Sequence, residues 1–258
     1  RHIADCDFIS GGFLWIGMDH RGEIMKREAR WPVVIRTNAP VDYCGFPKDV
    51  YYFFKAWWDE SSPVLHVFPH WTWPGREGRK VYIRAFSNCD EVELFVNGKS
   101  RGRQTMERYG VIEWETVYQP GEIRAVAFRN GKPAREHVVR TAGAPYAIAL
   151  QADRGTIKAG GRDVCCVTAH LVDEKGTTIP GEDRDVEFKV DGPGTFLGAG
   201  NGDPTDHTLD ASPRRSTFKG LVLAIIGGAA KGIIRLVASG DGLESRSVNI
   251  ECIDGDGH

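Results

Sequence analysis

Asp19 and Glu23 stand four residues apart in a polar, glycine-containing stretch, Asp19-His20-Arg21-Gly22-Glu23. Two carboxyls in reach of each other could do general acid–base chemistry. A loop does not fix their separation, however, and Arg21 between them offers the plainer role of an ion-pair partner holding the loop, so the pair is not read as an independent catalytic dyad. Trp71 and Trp73 alternate in a stretch that Pro69 and Pro74 keep extended, which puts both rings on one face. Paired indoles on a β surface can grip sugar rings by stacking. The competing expectation is that they pack against a helix whose Trp57 and Trp58 need covering. His66 and His70 are four apart, a spacing that joins imidazoles on a helix but not in an extended run. Asn201, Asp203, Asp206 and His207 carry cation-ligand types, but Asx turns are the commoner use of such Gly- and Pro-interrupted loops. No metal site is expected. Ser216 has no Gly-x-Ser-x-Gly elbow about it, and the Gly-Gly pairs lack the strand, lysine and helix of a phosphate loop. No cofactor is expected either.

The chain has 258 residues, 41% hydrophobic and 26% charged, with a formal net charge of −2. That length suits two domains and a further piece. The balance is ordinary for a globular protein and gives no basic excess for nucleic acid. The longest apolar run, Leu221 to Ile226, stops at Gly227-Gly228, far short of a membrane span. Six cysteines form no Cys-x-x-Cys pair and are read as mostly buried thiols, with Cys165 and Cys166 on opposite faces of a strand. The opening Arg1-His2-Ile3 has no initiator Met or export signal, as in an excised piece of something longer.

Three segments must position these residues. In residues 1–60, Gly12-Phe13-Leu14-Trp15-Ile16-Gly17 reads as a strand buried on both faces, and Pro47-Lys48-Asp49 opens a helix with Val50, Tyr51, Phe54, Trp57 and Trp58 as its apolar stripe. One strand and one helix cannot bury each other; they need a partner surface. Residues 61–142 alternate apolar and polar, as at Val92, Leu94 and Val96, and carry Asn97-Gly98 and Asn130-Gly131 hairpin turns. They are read as a β-sandwich. Residues 143–252 show strands at Tyr146–Leu150, Val164–Leu171, Val186–Val190, Leu221–Ile226, Ile233–Ala238 and Ser247–Ile250, with a long polar loop from Gly198 to Pro213. They are read as a second, Ig-like sandwich, followed by a disordered tail at 253–258. The expected class is mainly β.

Several of these runs resemble glycoside hydrolase family 2 β-galactosidases. Gly12-Phe13-Leu14-Trp15-Ile16-Gly17-Met18-Asp19-His20-Arg21-Gly22-Glu23 is similar to the last barrel strand and following loop of those enzymes, departing at Met18, His20 and Ile24, where Phe, Tyr and Pro are usual. Asp42-Tyr43-Cys44-Gly45-Phe46-Pro47-Lys48-Asp49 resembles the approach to the final barrel helix. Val64 to Gly75 and Asn88 to Ser100 resemble the β-sandwich after the barrel, and Gly200-Asn201-Gly202-Asp203-Pro204 resembles the family's C-terminal Ig-like domain.

The resemblance implies the end of a (β/α)8 barrel plus two sandwiches, in a protein that hydrolyses terminal β-galactosides or related sugars with retention. It places the two catalytic glutamates on barrel strands upstream of Arg1, so no catalytic residue is expected in this chain. Trp15 is implied as a sugar platform at the C-terminal end of a barrel strand, with Asp19 and His20 as substrate-binding neighbours. The partners implied are a β-galactoside or related glycan and the remainder of the barrel. The chain alone is expected to be inert, and to self-associate or dock on that remainder. A bacterial polysaccharide-degrading setting, periplasmic or secreted, is suggested without being fixed. The reading of a different class is a carbohydrate-binding or adhesion-type module, for which Trp71 and Trp73 must be exposed and coplanar.

Overall fold

The computed structural model describes residues 2–22 and 31–255. The chain divides into two compact units, Arg1–Glu23 with Arg36–Thr141 and Ile24–Ile35 with Ala142–His258. The structure is mainly β. Two helices, α1 (His2–Asp5) and α2 (Asp49–Trp58), and two short strands, β1 (His20–Arg21) and β2 (Ile35–Arg36), precede the main sheets. Among the described residues no helix is long and apolar enough to cross a membrane.

In the first unit, β3 (Leu65–Phe68), β4 (Lys80–Ser87) and β7 (Ile112–Val117) make an antiparallel sheet in the order β3-β4-β7. A second sheet has β5 (Glu91–Val96), β6 (Lys99–Thr105), β8 (Glu122–Arg129) and β9 (Lys132–Arg140) in the order β6-β5-β8-β9. Both contribute to one core that includes Ile83, Leu94, Trp114 and Ile123. Burial alternates residue by residue along β5 and β7, because a period of two sends successive side chains to opposite faces. Each fully buried Leu or Ile contributes roughly 1.5–3 kcal/mol through area removed from water. Asn97 and Gly98 have φ of 49° and 76°, and Asn130 and Gly131 have 52° and 75°, the double positive φ that two-residue hairpin turns require. Strand β6 is exposed along almost its whole length; its lysine and arginines suit a sheet edge, where charge discourages pairing with another chain.

In the second unit, β10 (Ala147–Ala152), β12 (Val164–Val172), β16 (Leu221–Gly228) and β14 (Gly194–Gly200) form one sheet in that order. The other runs β11-β18-β17-β13-β15, from β11 (Thr156–Lys158), β18 (Arg246–Ile253), β17 (Gly232–Ser239), β13 (Asp185–Asp191) and β15 (Arg214–Ser216). Their shared core includes Ile148, Cys165, Val186, Ile226, Ile234 and Ile250. Burial pushes the Cys165 thiol up to about 11, and Cys166 lies on the opposite, half-buried side of β12.

Four expectations are corrected. The run Gly12 to Gly17 forms no strand, and Phe13, Leu14 and Trp15 are exposed; a strand needs a neighbour to take its backbone hydrogen bonds, and the described residues place none beside it. The α2 face that packs overlaps the expected stripe only in part: Trp57 meets Tyr109 as the stripe requires, but Phe53 against Phe86, Tyr52 stacked on His66 and buried Ala56 lie outside it. Val50 and Trp58 stay exposed on another side, so the stripe had merged two faces of one helix. Strand β14 occupies part of a stretch read as turn and loop. Its glycines disguise it, although a Cβ at Gly194 would come within 2.5 Å of Ile234 Cγ2. The tail is ordered further than expected, since β18 continues to Ile253 and Asp254 pairs with Lys231 at 2.8 Å; residues 256–258 lie outside the described residues.

Candidate functional site

The turn after Trp15 is held by one buried carboxylate. Asp19 is 3% exposed. Its Oδ1 accepts hydrogen bonds from the Ala39 N–H at 3.0 Å and from Lys48 Nζ at 2.9 Å, and its Oδ2 lies 2.7 Å from the same ammonium. The Asp19 N–H donates to Val41 O, and Met18 bridges to Val41 in parallel. Lys48 also donates to Thr37 O at 3.0 Å. Lys48 is the residue before α2, and its own N–H donates to Pro40 O. The start of the helix is thereby tied to Asp19 directly through Lys48, and both are tied to the 37–41 stretch between them by four further hydrogen bonds.

Asp42 shapes the approach to Lys48. Its Oδ1 accepts from the Cys44 and Phe46 N–H groups at 2.9 and 2.8 Å, an Asx-type turn that brings Pro47 back to bridge Val41. Burial raises the Asp42 pKa, with the nearby Asp19 charge adding to it. Arg21 lies over the Tyr43 ring at 4.9 Å, and the cation paired with Asp19 is Lys48. Glu23 lies outside the described residues.

Of the three residues implied as sugar contacts, Trp15 is 74% exposed, with a cis peptide to Ile16, and His20 is half-buried on β1. Asp19 is different. Both its oxygens face protein donors inside the fold, so it positions the segment that carries Trp15. Lys48 was missed because it looked like an ordinary helix-start residue; the signal was a cation where the helix dipole favours an anion.

Trp71 and Trp73 do not form the exposed coplanar pair that surface sugar binding needs. Trp71 is 0% exposed, donates from Nε1 to Gln119 O at 2.9 Å, and meets Trp73 at an interplanar angle of 59°. Trp73 donates from Nε1 to His70 Nε2, and its N–H donates to Tyr118 Oη. Trp71 sits in the first unit's core and Trp73, half-buried, packs against it, and a polar partner satisfies each indole N–H.

The loop carrying Asn201, Asp203, Asp206 and His207 closes on Arg215. This buried guanidinium donates to Asp206 Oδ2, Ala199 O and Leu209 O at 2.8, 2.8 and 3.1 Å. Asn201 donates to Asp206 Oδ2 and Ser216 O. Among the described residues no three His, Cys, Asp or Glu side chains are arranged to hold a metal ion.

Residues 148–249 match the model of the glycoside hydrolase family 2 C-terminal domain 5, and residues 78–135 match a domain of unknown function, DUF4982. The chain is 39% identical over 253 residues to the β-galactosidase BoGH2A of Bacteroides ovatus, covering 96% of this chain and 29% of that protein. It is 27% identical over 256 residues to a β-glucuronidase of Formosa agariphila, covering 24% of that protein. Among solved structures, a β-glycosidase from Bacteroides vulgatus superposes with a TM-score of 0.86 at 31% identity, over 91% of this chain and 30% of that one. A family 2 member from Bacteroides cellulosilyticus gives 0.87 at 27% identity, over 98% and 37%. The chain thus spans less than two fifths of the length of each of these relatives.

Proposed function

Because the chain belongs to glycoside hydrolase family 2, matching a portion of its members that includes their C-terminal domain, we propose that it is the C-terminal region of a retaining hydrolase of terminal β-galactosides. In this reading residues up to about 60 complete a (β/α)8 barrel, and the two β units are Ig-like sandwiches behind it. The observation that carries it is the pairing of two features: an exposed apolar segment with Phe8, Phe13, Leu14 and Trp15, and the internal lock of Asp19 on Lys48 that holds its far end. A monomer rarely exposes a contiguous apolar patch beyond a few hundred Å2 unless a partner covers it, and the remainder of a barrel would cover this one.

Retaining hydrolysis uses two carboxyl groups about 5–5.5 Å apart, one as nucleophile and one as acid/base. Those groups are assigned to barrel strands outside this chain. Trp15 offers its indole to the C–H face of the sugar, which buries area without demanding paired hydroxyls. Asp19 and Lys48 hold the indole in place, and orientation of this kind contributes to rate by removing misaligned poses. Galactoside is preferred over glucuronide because the more similar of these two relatives is a β-galactosidase.

The test compares three preparations on aryl β-galactoside and aryl β-glucuronide: the chain alone, the remaining part of the hydrolase alone, and both together. The expected result is turnover of galactoside in the mixture only. Hydrolysis by the chain alone overturns the reading, and glucuronide turnover in the mixture corrects the sugar.

A further inference from the structure

We propose that the cavity beside the Asn201–His207 loop is a binding site for a neutral saccharide. The cavity lies wholly within the second unit and measures about 490 Å3, within the roughly 300–1,000 Å3 of small-molecule sites. Its lining combines carboxylates, guanidinium groups and hydroxyls, among them Asp183, Asp203, Thr205, Ser212 and Arg214. These are the planar, bidentate and hydroxyl groups that pair with the vicinal hydroxyls of a pyranose.

Three observations favour a neutral sugar over other ligands. The first is charge. Asp206 is neutralised by Arg215 and Asp185 by Arg214, at 2.8 and 3.0 Å. Asp183 and Asp203 have no cation partner among the described residues. Asp183 is held by the Lys219 and Gly220 N–H groups, and both burial and the Asp203 charge raise its pKa. An anionic sugar would add a third negative charge to this pair, whereas hydroxyl groups would donate to it. The second is the pair of guanidinium groups. Arg215 is buried, lines the cavity and keeps a buried Nε–H without an acceptor among the described residues. These groups, with the absence of a three-ligand cluster among the described residues, disfavour a bound cation and supply donors to ring or glycosidic oxygens.

The third is an aromatic ring held ready. Trp31, in the same unit, is 80% exposed, and its ring lies 4.5 Å from that of His207, a lining residue. The backbone just after it is pinned to the loop: His207 Nε2 is 2.7 Å from Pro32 O, and the Val34 N–H donates to Pro204 O at 2.8 Å. An indole that is both exposed and restrained loses little entropy on stacking against a sugar face.

The test titrates the whole chain with methyl β-galactoside and methyl β-glucoside by ligand-observed NMR, with glucuronate and calcium chloride in parallel. Saturable binding of at least one neutral glycoside is expected, weakened about tenfold or more in Asp203→Ala and in Trp31→Ala. Glucuronate is expected to bind about tenfold more weakly still than the neutral sugar. Trp31→Ala truncates an exposed ring and Asp203→Ala removes a half-buried carboxylate that accepts from Thr205, so each variant is first checked for the parent's far-ultraviolet spectrum and a folded transition. The proposal is overturned by no saturable binding of either glycoside, by unchanged affinity in both variants, by glucuronate binding best, or by calcium binding without sugar binding. Hydrolase assays do not enter this outcome, so failure here and failure of the hydrolase reading are separate results.

Discussion

Asp19 and Lys48 are 29 residues apart in sequence and 2.7 Å apart in the fold, and this pair joins the Trp15 segment to the residue that precedes α2. The carboxylate is buried while the ammonium keeps partial contact with solvent. Removing the cation would leave a buried charge with the Ala39 N–H as its one remaining donor among the described residues. Lys48→Met is therefore expected to cost about 2–3 kcal/mol, below the ~3–5 kcal/mol of a fully buried pair. Urea denaturation followed by tryptophan fluorescence measures it; a loss under ~0.5 kcal/mol would show that the pair holds nothing.

The tryptophans separate by role. Trp71→Ala removes a fully buried ring from the first unit's core and should cost about 3–5 kcal/mol. Trp15→Ala removes an exposed ring and should change stability by less than about 0.5 kcal/mol. Thermal unfolding of the two variants beside the parent decides this, and equal losses would contradict the burial described above.

His137 gives the first unit an acid limit. Its Nδ1 accepts the Val67 N–H at 2.8 Å, a bond only the neutral ring can make. Burial, with the neighbouring His66 and Arg135 charges, lowers its pKa from 6.5 to about 4. The unfolded chain therefore binds this proton first. Stability from the neutral ring is complete above pH 6.5 and is lost as pH falls from 6.5 towards 4, by about 2 kcal/mol after allowance for partial exposure. His137→Gln keeps an acceptor and removes the titration, so its stability between those pH values should be flatter. A variant with the parent's slope would move the acid sensitivity to another group.

Arg215 should not tolerate replacement. Its guanidinium serves the carboxylates of Asp206 and Asp210 and two backbone carbonyls, a planar fork that lysine cannot imitate. Arg215→Lys and Arg215→Met are each expected to destabilise the second unit by about 3 kcal/mol or more. Differential scanning calorimetry reads this as a fall in the second unit's transition; a lysine variant as stable as the parent would show that charge alone suffices.

The β content was legible where alternation and turn chemistry agreed. Val92, Leu94 and Val96 run directly into Asn97-Gly98, so local pattern and fold point the same way. Strand β6 was visible only through that turn, because Lys99, Arg101 and Arg103 leave no apolar face to read. Strand β14 was hidden by its glycines, of which Gly194 and Gly198 lie where a side chain would meet Ile234 and Asp210 O, a need that β propensity does not register. The Trp15 segment was misread for a third reason: its pattern asks for neighbours that the described residues do not provide. At the site, family resemblance pointed to Asp19, but only the coordinates revealed Lys48 as its partner, since a contact across 29 residues leaves no periodic trace.

The most direct measurement is the steady-state hydrolysis of an aryl β-galactoside by the whole hydrolase carrying Trp15→Ala. If this chain lends its indole to the sugar site, kcat/KM falls about 10²-fold with the melting temperature unchanged. An unaltered kcat/KM in a well-folded variant would contradict that contribution.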